Sequence, residues 1–467
     1  MRARRLLALA LALTTPACAV GPRYEKPKVA WPQGYLQKQA FAVEDRDPDY
    51  RIWWKAFGDP TLDSLVEHAL RNNRDLKIAA ARVKEARADW KGAKADRWPR
   101  VDLFASAGRS DRGVSTIGET INLYEGGFDA SWEVDIFGGK RRKSWAAKAL
   151  FEASAESQRQ VQVSLIAELV RNYLEARKLQ RQIHFTEETA KAYRQTLSLL
   201  EVRNKAGLSS YLEVSQQETA YQTSLAQIPG LRALRDAAFN RLSALAGENP
   251  GFAEARMGEG GIPRAAPQFV LATPARAVSH RPDIRAAEKR LEAATNLTGA
   301  AIAERYPKLD LSGLFGVQQN SFLGAGIIWS IASGLFMPLF DFGRIKAQIQ
   351  AAEARQEQSL YEYEKAVLES LEEIETALSA YLNQENRYAA LLKARDSAEL
   401  AYRLAEERYR KGIASFLDIL VSERAYFQAE FDKLESEAGS GQRLVALMKA
   451  LGGGGEGEPN SAALKTY

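Results

Sequence analysis

The sequence predicts a mainly α-helical chain with a small β part, in which one unit is written twice: helix, two strands, very long helix, tight turn, helix. Three observations carry this reading. They are an internal duplication, two very long helical stretches, and period-two segments that precede them.

The duplication is direct. Asp75-Leu76 opens a run ending in Trp98-Pro99-Arg100-Val101-Asp102-Leu103, and Asp283-Ile284 opens one ending in Tyr306-Pro307-Lys308-Leu309-Asp310-Leu311, at a constant offset of 208. Further on, Arg203-x-x-x-Gly207-x-x-Ser210-Tyr211-Leu212-Glu213-Val214 matches Arg408-x-x-x-Gly412-x-x-Ser415-Phe416-Leu417-Asp418-Ile419 at an offset of 205. The same offset pairs Glu218 with Glu423, Tyr221 with Tyr426 and Gly247 with Gly452. A chain that keeps one offset over so long a stretch is a tandem duplication of about 200 residues.

The elements follow in order. Asp59-Pro60 starts a helix, with Asp as N-cap and Pro at the first position. Phe128, Ala130, Trp132, Val134 and Ile136 alternate with Asp129, Ser131, Glu133 and Asp135, apolar on one face and acidic on the other, which is a strand. Strands are expected at about 100–110, 126–137, 308–320 and 326–340. The stretch from Phe322 to Phe340 carries no charge and is long enough for a transmembrane helix. Gly324, Gly326, Gly334 and Pro338 interrupt it, and its repeat mate around Trp132 is charged, so it reads as a strand with a preceding turn. Lys140–Ala206 and Gly343–Lys411 are free of proline and helical throughout, each about 100 Å long. Val367, Leu371, Ile374, Leu378 and Tyr381 form a coiled-coil seam within the second. In each half two shorter helices, Asp75–Trp98 with Tyr211–Gly247 and Asp283–Tyr306 with Phe416–Leu451, stack end to end to match one long helix. The predicted organisation is a signal peptide (1–17), an N-terminal segment (18–58), a first repeat (59–247), a linker (248–270), a second repeat (271–452) and a flexible glycine-rich tail (453–467).

The N-terminus reads as targeting. Arg2, Arg4 and Arg5 precede the apolar run Leu6–Leu13, which is too short to span a bilayer. Cys18 is the only cysteine in the chain, so no internal disulfide is possible. Two readings of Thr15-Pro16-Ala17-Cys18-Ala19 stand: cleavage before an acylated Cys18, or ordinary A-x-A cleavage that discards it. The net charge of +5 includes the three leader arginines, and the remaining charges alternate in sign along helices, which argues against nucleic-acid binding. His68, His184 and His280 lack metal-ligand spacing, and no phosphate loop or nucleophile motif is present, so no enzyme, metal or cofactor is expected apart from a covalent lipid on Cys18.

Four strands with one lipid-facing side cannot stand alone in a membrane, because their edges would be unsatisfied and barrels start at about eight strands. Two or three copies meet that requirement. Over nearly the whole mature chain the sequence resembles the outer-membrane factor family of TolC, OprM and NodT type. The resemblance rests on Asp59-Pro60-x-Leu62, Arg281-Pro282-Asp283-Ile284, Trp132-Glu133-Val134-Asp135-x-Phe137-Gly138, Pro338-Leu339-Phe340-Asp341-x-Gly343 and the two Arg-x-x-x-Gly turns. Ala19-Val20-Gly21-Pro22-Arg23-Tyr24-Glu25-Lys26-Pro27 resembles the mature start of lipidated members. The resemblance implies a homotrimer with a 12-stranded β-barrel in the outer-membrane lipid, continued by a 12-helix periplasmic α-barrel. It implies a periplasmic adaptor and a proton-driven inner-membrane pump as partners, with export of small toxic molecules. A role in type I protein secretion is the alternative, and a periplasmic coiled-coil scaffold is a rival of another class.

The resemblance also places roles at the two hairpin tips. Arg203, Gly207 and Leu208, and Arg408, Gly412 and Ile413, fall where family members meet adaptor hairpins; read without it, they are helix C-caps with dipole-favoured cations. Asp418 matches a position where relatives hold the tunnel closed, with Tyr409 and Arg410 as its expected partners and Glu213 as its repeat mate. As first-turn acids, Asp418 and Glu213 also suit the helix dipole.

Overall fold

A computed structural model describes residues 19–37, 43–44, 50–111, 120–265, 271–320 and 324–454. Cys18, the leader and most of the glycine-rich tail lie outside the described residues. In chain order the regular elements are β1 (Val43–Glu44), a 3₁₀ turn (Trp53–Phe57), α1 (Pro60–Asn72), α2 (Arg74–Ala95), β2 (Arg100–Asp111), β3 (Thr120–Val134), α3 (Gly139–Lys205), α4 (Tyr211–Leu245), β4 (Leu271–Ala272), α5 (Pro274–His280), α6 (Pro282–Ala303), β5 (Lys308–Asn320), β6 (Gly324–Phe336), α7 (Arg344–Arg410) and α8 (Phe416–Ala450). The chain divides into two compact units. One holds the segment up to Val29 with Ala81–Glu156 and Arg285–Ala366; the other holds Ala30–Ala80, Ser157–Ile284 and the chain from Val367 onward.

The first unit is organised by a four-stranded antiparallel sheet of order β2-β3-β5-β6. Its register places one set of side chains on a single face: Val101 and Leu103, then Phe128, Ala130 and Trp132, then Leu311, Phe315 and Val317, then Ile327, Trp329 and Ile331. Leu103, Phe315, Trp329 and Ile331 are well exposed, Ile331 at 84%. The opposite face carries Asp102, Glu125, Asp129, Glu133 and Asp310. Gly127 stands opposite Gly316, and a Cβ on Gly127 would lie 2.4 Å from the Phe315 carbonyl oxygen, so the two strands approach this closely only without side chains. β2 and β6 are the sheet edges.

Local chemistry ends each element. α2 and α6 stop at Ala95 and Ala303, short of the expected Trp98 and Tyr306, because Pro99 and Pro307 exclude helical geometry from the residue before them. β3 ends at Val134, where Asp135 turns to cap α3, accepting the Lys140 and Arg141 N–H groups at 3.0 and 2.7 Å. Asp341 caps α7 in the same way through Gly343 and Ile345. β6 ends at Phe336, two residues before Pro338. β3 begins at Thr120, earlier than the expected residue 126. The N-terminal segment joins this unit beside the sheet: the Val20 N–H donates to the Phe137 carbonyl at 3.1 Å, and Tyr24 and Lys26 both donate to Glu288.

In the second unit α1 buries Leu62, Leu65, Val66 and Ala69, one helical face, after an N-cap in which Asp59 accepts from Thr61 and Leu62. The duplication reappears as a repeated joint. Asn73 interrupts the helix between α1 and α2 and donates its side-chain amide to the Leu245 carbonyl at the end of α4, at 2.9 Å. Its mate Arg281 interrupts between α5 and α6 and donates to the Ala450 carbonyl at the end of α8, at 2.8 Å. Arg281 also pairs with Asp283 and Glu373, which outweigh its burial and raise its pKa. The helix ends turn on Gly247 and Gly452, at φ 78 and 75. A Cβ on Gly247 would lie 2.4 Å from the Asn72 carbonyl oxygen, which is why glycine recurs there. The expected seam residues Val367, Ile374, Leu378 and Tyr381 are buried.

Candidate functional site

The hairpin tips belong to the second unit. Helix α3 ends at Lys205 and α4 begins at Tyr211; α7 ends at Arg410 and α8 begins at Phe416. Both reversals are Schellman turns. Gly207 donates to the Asn204 carbonyl and Leu208 to the Arg203 carbonyl; Gly412 donates to the Tyr409 carbonyl and Ile413 to the Arg408 carbonyl. Gly207 and Gly412 both have φ 74, a conformation that costs a branched residue about 1–2 kcal/mol. The tips present apolar side chains to solvent: Leu208 is 69% exposed and Ile413 64%, beside Tyr211, Leu212 and Leu417.

Beneath these turns the two hairpins share one apolar cluster. Leu200, Phe416 and Ile419 are buried together, with Val214, Tyr402, Ala405 and Tyr409 packed against them. Arg203 joins the tips, its guanidinium carbon 5.4 Å from the centre of the Tyr409 ring. Arg408 remains exposed.

The expected contacts of Asp418 take a different form. Its carboxylate accepts from the Ser415 N–H at 2.8 Å and the Ser415 hydroxyl at 2.9 Å, while the Ser415 hydroxyl accepts the Asp418 N–H. This is a capping box, and the Ser415 backbone and side-chain bonds hold the carboxyl below its usual pKa range. Tyr409 packs on Phe416, and Arg410 pairs with Glu406 at 2.6 Å. Asp418 therefore finds its partners on its own helix terminus, where the unsatisfied N–H groups are nearest. Glu213 forms the same box with Ser210. Within the chain, the acid shared by the two hairpins serves helix capping. Ser-x-x-Glu and Ser-x-x-Asp were in the sequence, and that signature identifies Ser210 and Ser415 as site residues.

A further residue, which spacing marked only as the repeat mate of Glu218, is Glu423, two turns into α8. It is 2% exposed, and burial pushes its carboxyl pKa up to about 7. Among the described residues, no group of three His, Cys, Asp or Glu side chains is arranged to hold a metal ion. No helix among them is long and apolar enough to cross a membrane.

Comparison with known proteins agrees with this architecture. The model of the outer membrane efflux protein family matches residues 65–248 and 273–453, one segment in each repeat. The chain is 32% identical to the pyoverdine export outer membrane protein OpmQ of Pseudomonas putida, over 97% of each chain. It is 30% identical to the outer membrane protein OprJ of Pseudomonas aeruginosa, over 96% of this chain and 95% of that one. The solved outer-membrane channel OprN superposes with a TM-score of 0.88 at 33% identity, covering 94% of this chain and all of that one. The open-state MtrE channel of Neisseria gonorrhoeae gives 0.82 at 26% identity, covering 94% and 98%. These relatives are outer-membrane proteins and channels, and the fold, the repeat and the matched segments coincide. The chain belongs to the outer membrane efflux protein family.

Proposed function

We propose that this chain is the passive outer-membrane exit duct of a tripartite efflux system, and that it catalyses no reaction. The observation that carries this reading is the sheet: one apolar face, one acidic face and two free edges. A sheet in hydrocarbon has to close, and four strands per chain close a twelve-stranded barrel when three copies meet edge to edge. The apolar face then meets outer-membrane lipid and the acidic face lines a water-filled passage. Helices α3, α4, α7 and α8 with α2 and α6 supply the helical columns of a periplasmic tunnel.

A periplasmic adaptor docks on the exposed apolar tip residues Leu208, Tyr211, Ile413 and Leu417, and a proton-driven inner-membrane pump delivers cargo. The cargo is small molecules. Relatives are named for pyoverdine, toluene and cations, so this fold serves many substrates and the pump selects among them. Cys18 carries a lipid. A Cβ on Gly138, just past β3, would touch the Ala19 backbone at 2.7 Å, and consecutive Cα atoms lie only about 3.8 Å apart. The close approach of Ala19 to Gly138 supports a lipid anchor at this end of the chain.

Purified protein reconstituted in planar bilayers should conduct ions with a preference for cations, and loss of the gene should sensitise its host to toxic small molecules. Absence of any conductance from correctly assembled protein would overturn the proposal.

A further inference from the structure

Glu423 stands apart from the structural ion pairs of this chain. Its carboxylate is buried between helices and accepts a hydrogen bond from the Tyr402 hydroxyl of α7 at 3.2 Å. Tyr402 stacks on Tyr426 with the rings 7° from parallel, and it also packs against the Leu200, Phe416 and Ile419 cluster beneath the tips. One side chain thus links the apolar floor of the tips to a buried acid.

The duplication supplies a control. At the offset of 205, Glu423 corresponds to Glu218 and Tyr402 to Leu197. In the first hairpin Glu218 meets Gln222 on an exposed surface, and Leu197 is an ordinary core residue, fully buried. The Tyr402–Glu423 pair therefore has no counterpart at the equivalent positions of the first hairpin.

We propose that Glu423 is a proton-operated latch on the α7–α8 hairpin: protonated, it keeps this hairpin packed closed, and ionised, it loosens it. The physical reason is desolvation. An ionised carboxylate at this depth needs several donors, and one neutral hydroxyl at 3.2 Å does not replace its hydration. Opening the hairpin admits water and frees Tyr402 from the tip cluster.

The neighbouring charges act in the same direction or are offset. Glu406 on α7, paired with Arg410, disfavours a second negative charge, while Arg424 on α8 favours it. Tyr193 from α3 and Tyr221 from α4 pack in a second cluster with Ala220 and Leu420, and Tyr426 on α8 stacks on Tyr402. Burial dominates, so the carboxyl titrates near pH 7 when packed and near the ordinary value of 4.5 when open. A raised acid pKa means the packed state binds the proton more tightly. Packing is strongest below the ordinary value and weakens as pH rises through about 7, by on the order of 100-fold per chain in the closed-to-open ratio.

This inference rests on the channel reading, and the test separates the two. Full-length assembled channel is recorded in planar bilayers from pH 5.5 to 8.5, as wild type, Glu423→Gln and Tyr402→Phe. The wild type should shift from low to high conductance with a midpoint near pH 7. Glu423→Gln should stay in the low-conductance state throughout, and Tyr402→Phe should move the midpoint upward. An infrared titration of the wild type should show a protonated carboxyl band lost near pH 7, a measurement that needs no variant to fold. A wild-type midpoint retained in Glu423→Gln, or an absent carboxyl band at pH 6, overturns the latch. No conductance at any pH removes the channel reading instead.

Discussion

The tip glycines and the helix-end glycines share a backbone conformation but differ in surroundings, which makes their substitution a sharp experiment. Gly207 and Gly412 have φ 74, and a Cβ built on either meets nothing within 4 Å. Gly207→Val and Gly412→Val therefore cost only the left-handed strain of a branched residue, about 1–2 kcal/mol each. That shifts the local turn equilibrium by roughly 5–30-fold, yet leaves most of a stability of about 5–15 kcal/mol. The tip distorts and the body holds. Gly247→Val carries the same strain, with a Cβ only 2.4 Å from the Asn72 carbonyl oxygen, so the joint between α4 and α1 has to separate. The assay is drug susceptibility of a deletion host complemented with each variant, alongside the amount of assembled protein in outer membranes. Gly207→Val and Gly412→Val should assemble normally and lose much of the resistance, whereas Gly247→Val should fail to accumulate. Full resistance in both tip variants would refute docking through the tips.

Gly127→Val should abolish assembled protein, because its side chain would occupy the space of the Phe315 carbonyl and Gly316, whereas Gly126→Val on the apolar face should be tolerated far better. Ser415→Ala and Asp418→Ala should loosen the start of α8 equally and raise single-channel conductance alike, since they are the two halves of one capping box. A rise in Asp418→Ala alone would restore a ring of Asp418 carboxylates as the constriction. Radioactive palmitate should label wild type and not Cys18→Ser, and a mature N-terminus at Val20 would exclude the lipid.

Much of this architecture was legible because its signals are local or repeated. Alternation around Trp132 located a strand, and Arg-x-x-x-Gly located both reversals. The charge-free stretch ending at Phe340 resolved into β6 once its glycines and Pro338 were weighed against a membrane helix. The early start of β3 at Thr120 was obscured because Glu125-Gly126-Gly127 lowers strand propensity, and it is held by pairing with β2, which reaches Thr120 opposite Asp111. The joints at Asn73 and Arg281 depend on carbonyls at Leu245 and Ala450, distant in sequence and invisible to periodicity. The capping role of Asp418 was hidden for a related reason. Its neighbours Tyr409 and Arg410 are close in sequence, but the returning helix offered it Ser415 first. The burial of Glu423 passed unnoticed, although the repeat paired it with Glu218, because a glutamate on a charged helix looks solvated until tertiary packing closes over it.

Three identical chains should close one conduit, and native mass spectrometry of the detergent-extracted protein decides whether they do. The expected result is a single species of about three chain masses that also conducts in bilayers. A stable monomer or dimer that conducts would contradict it.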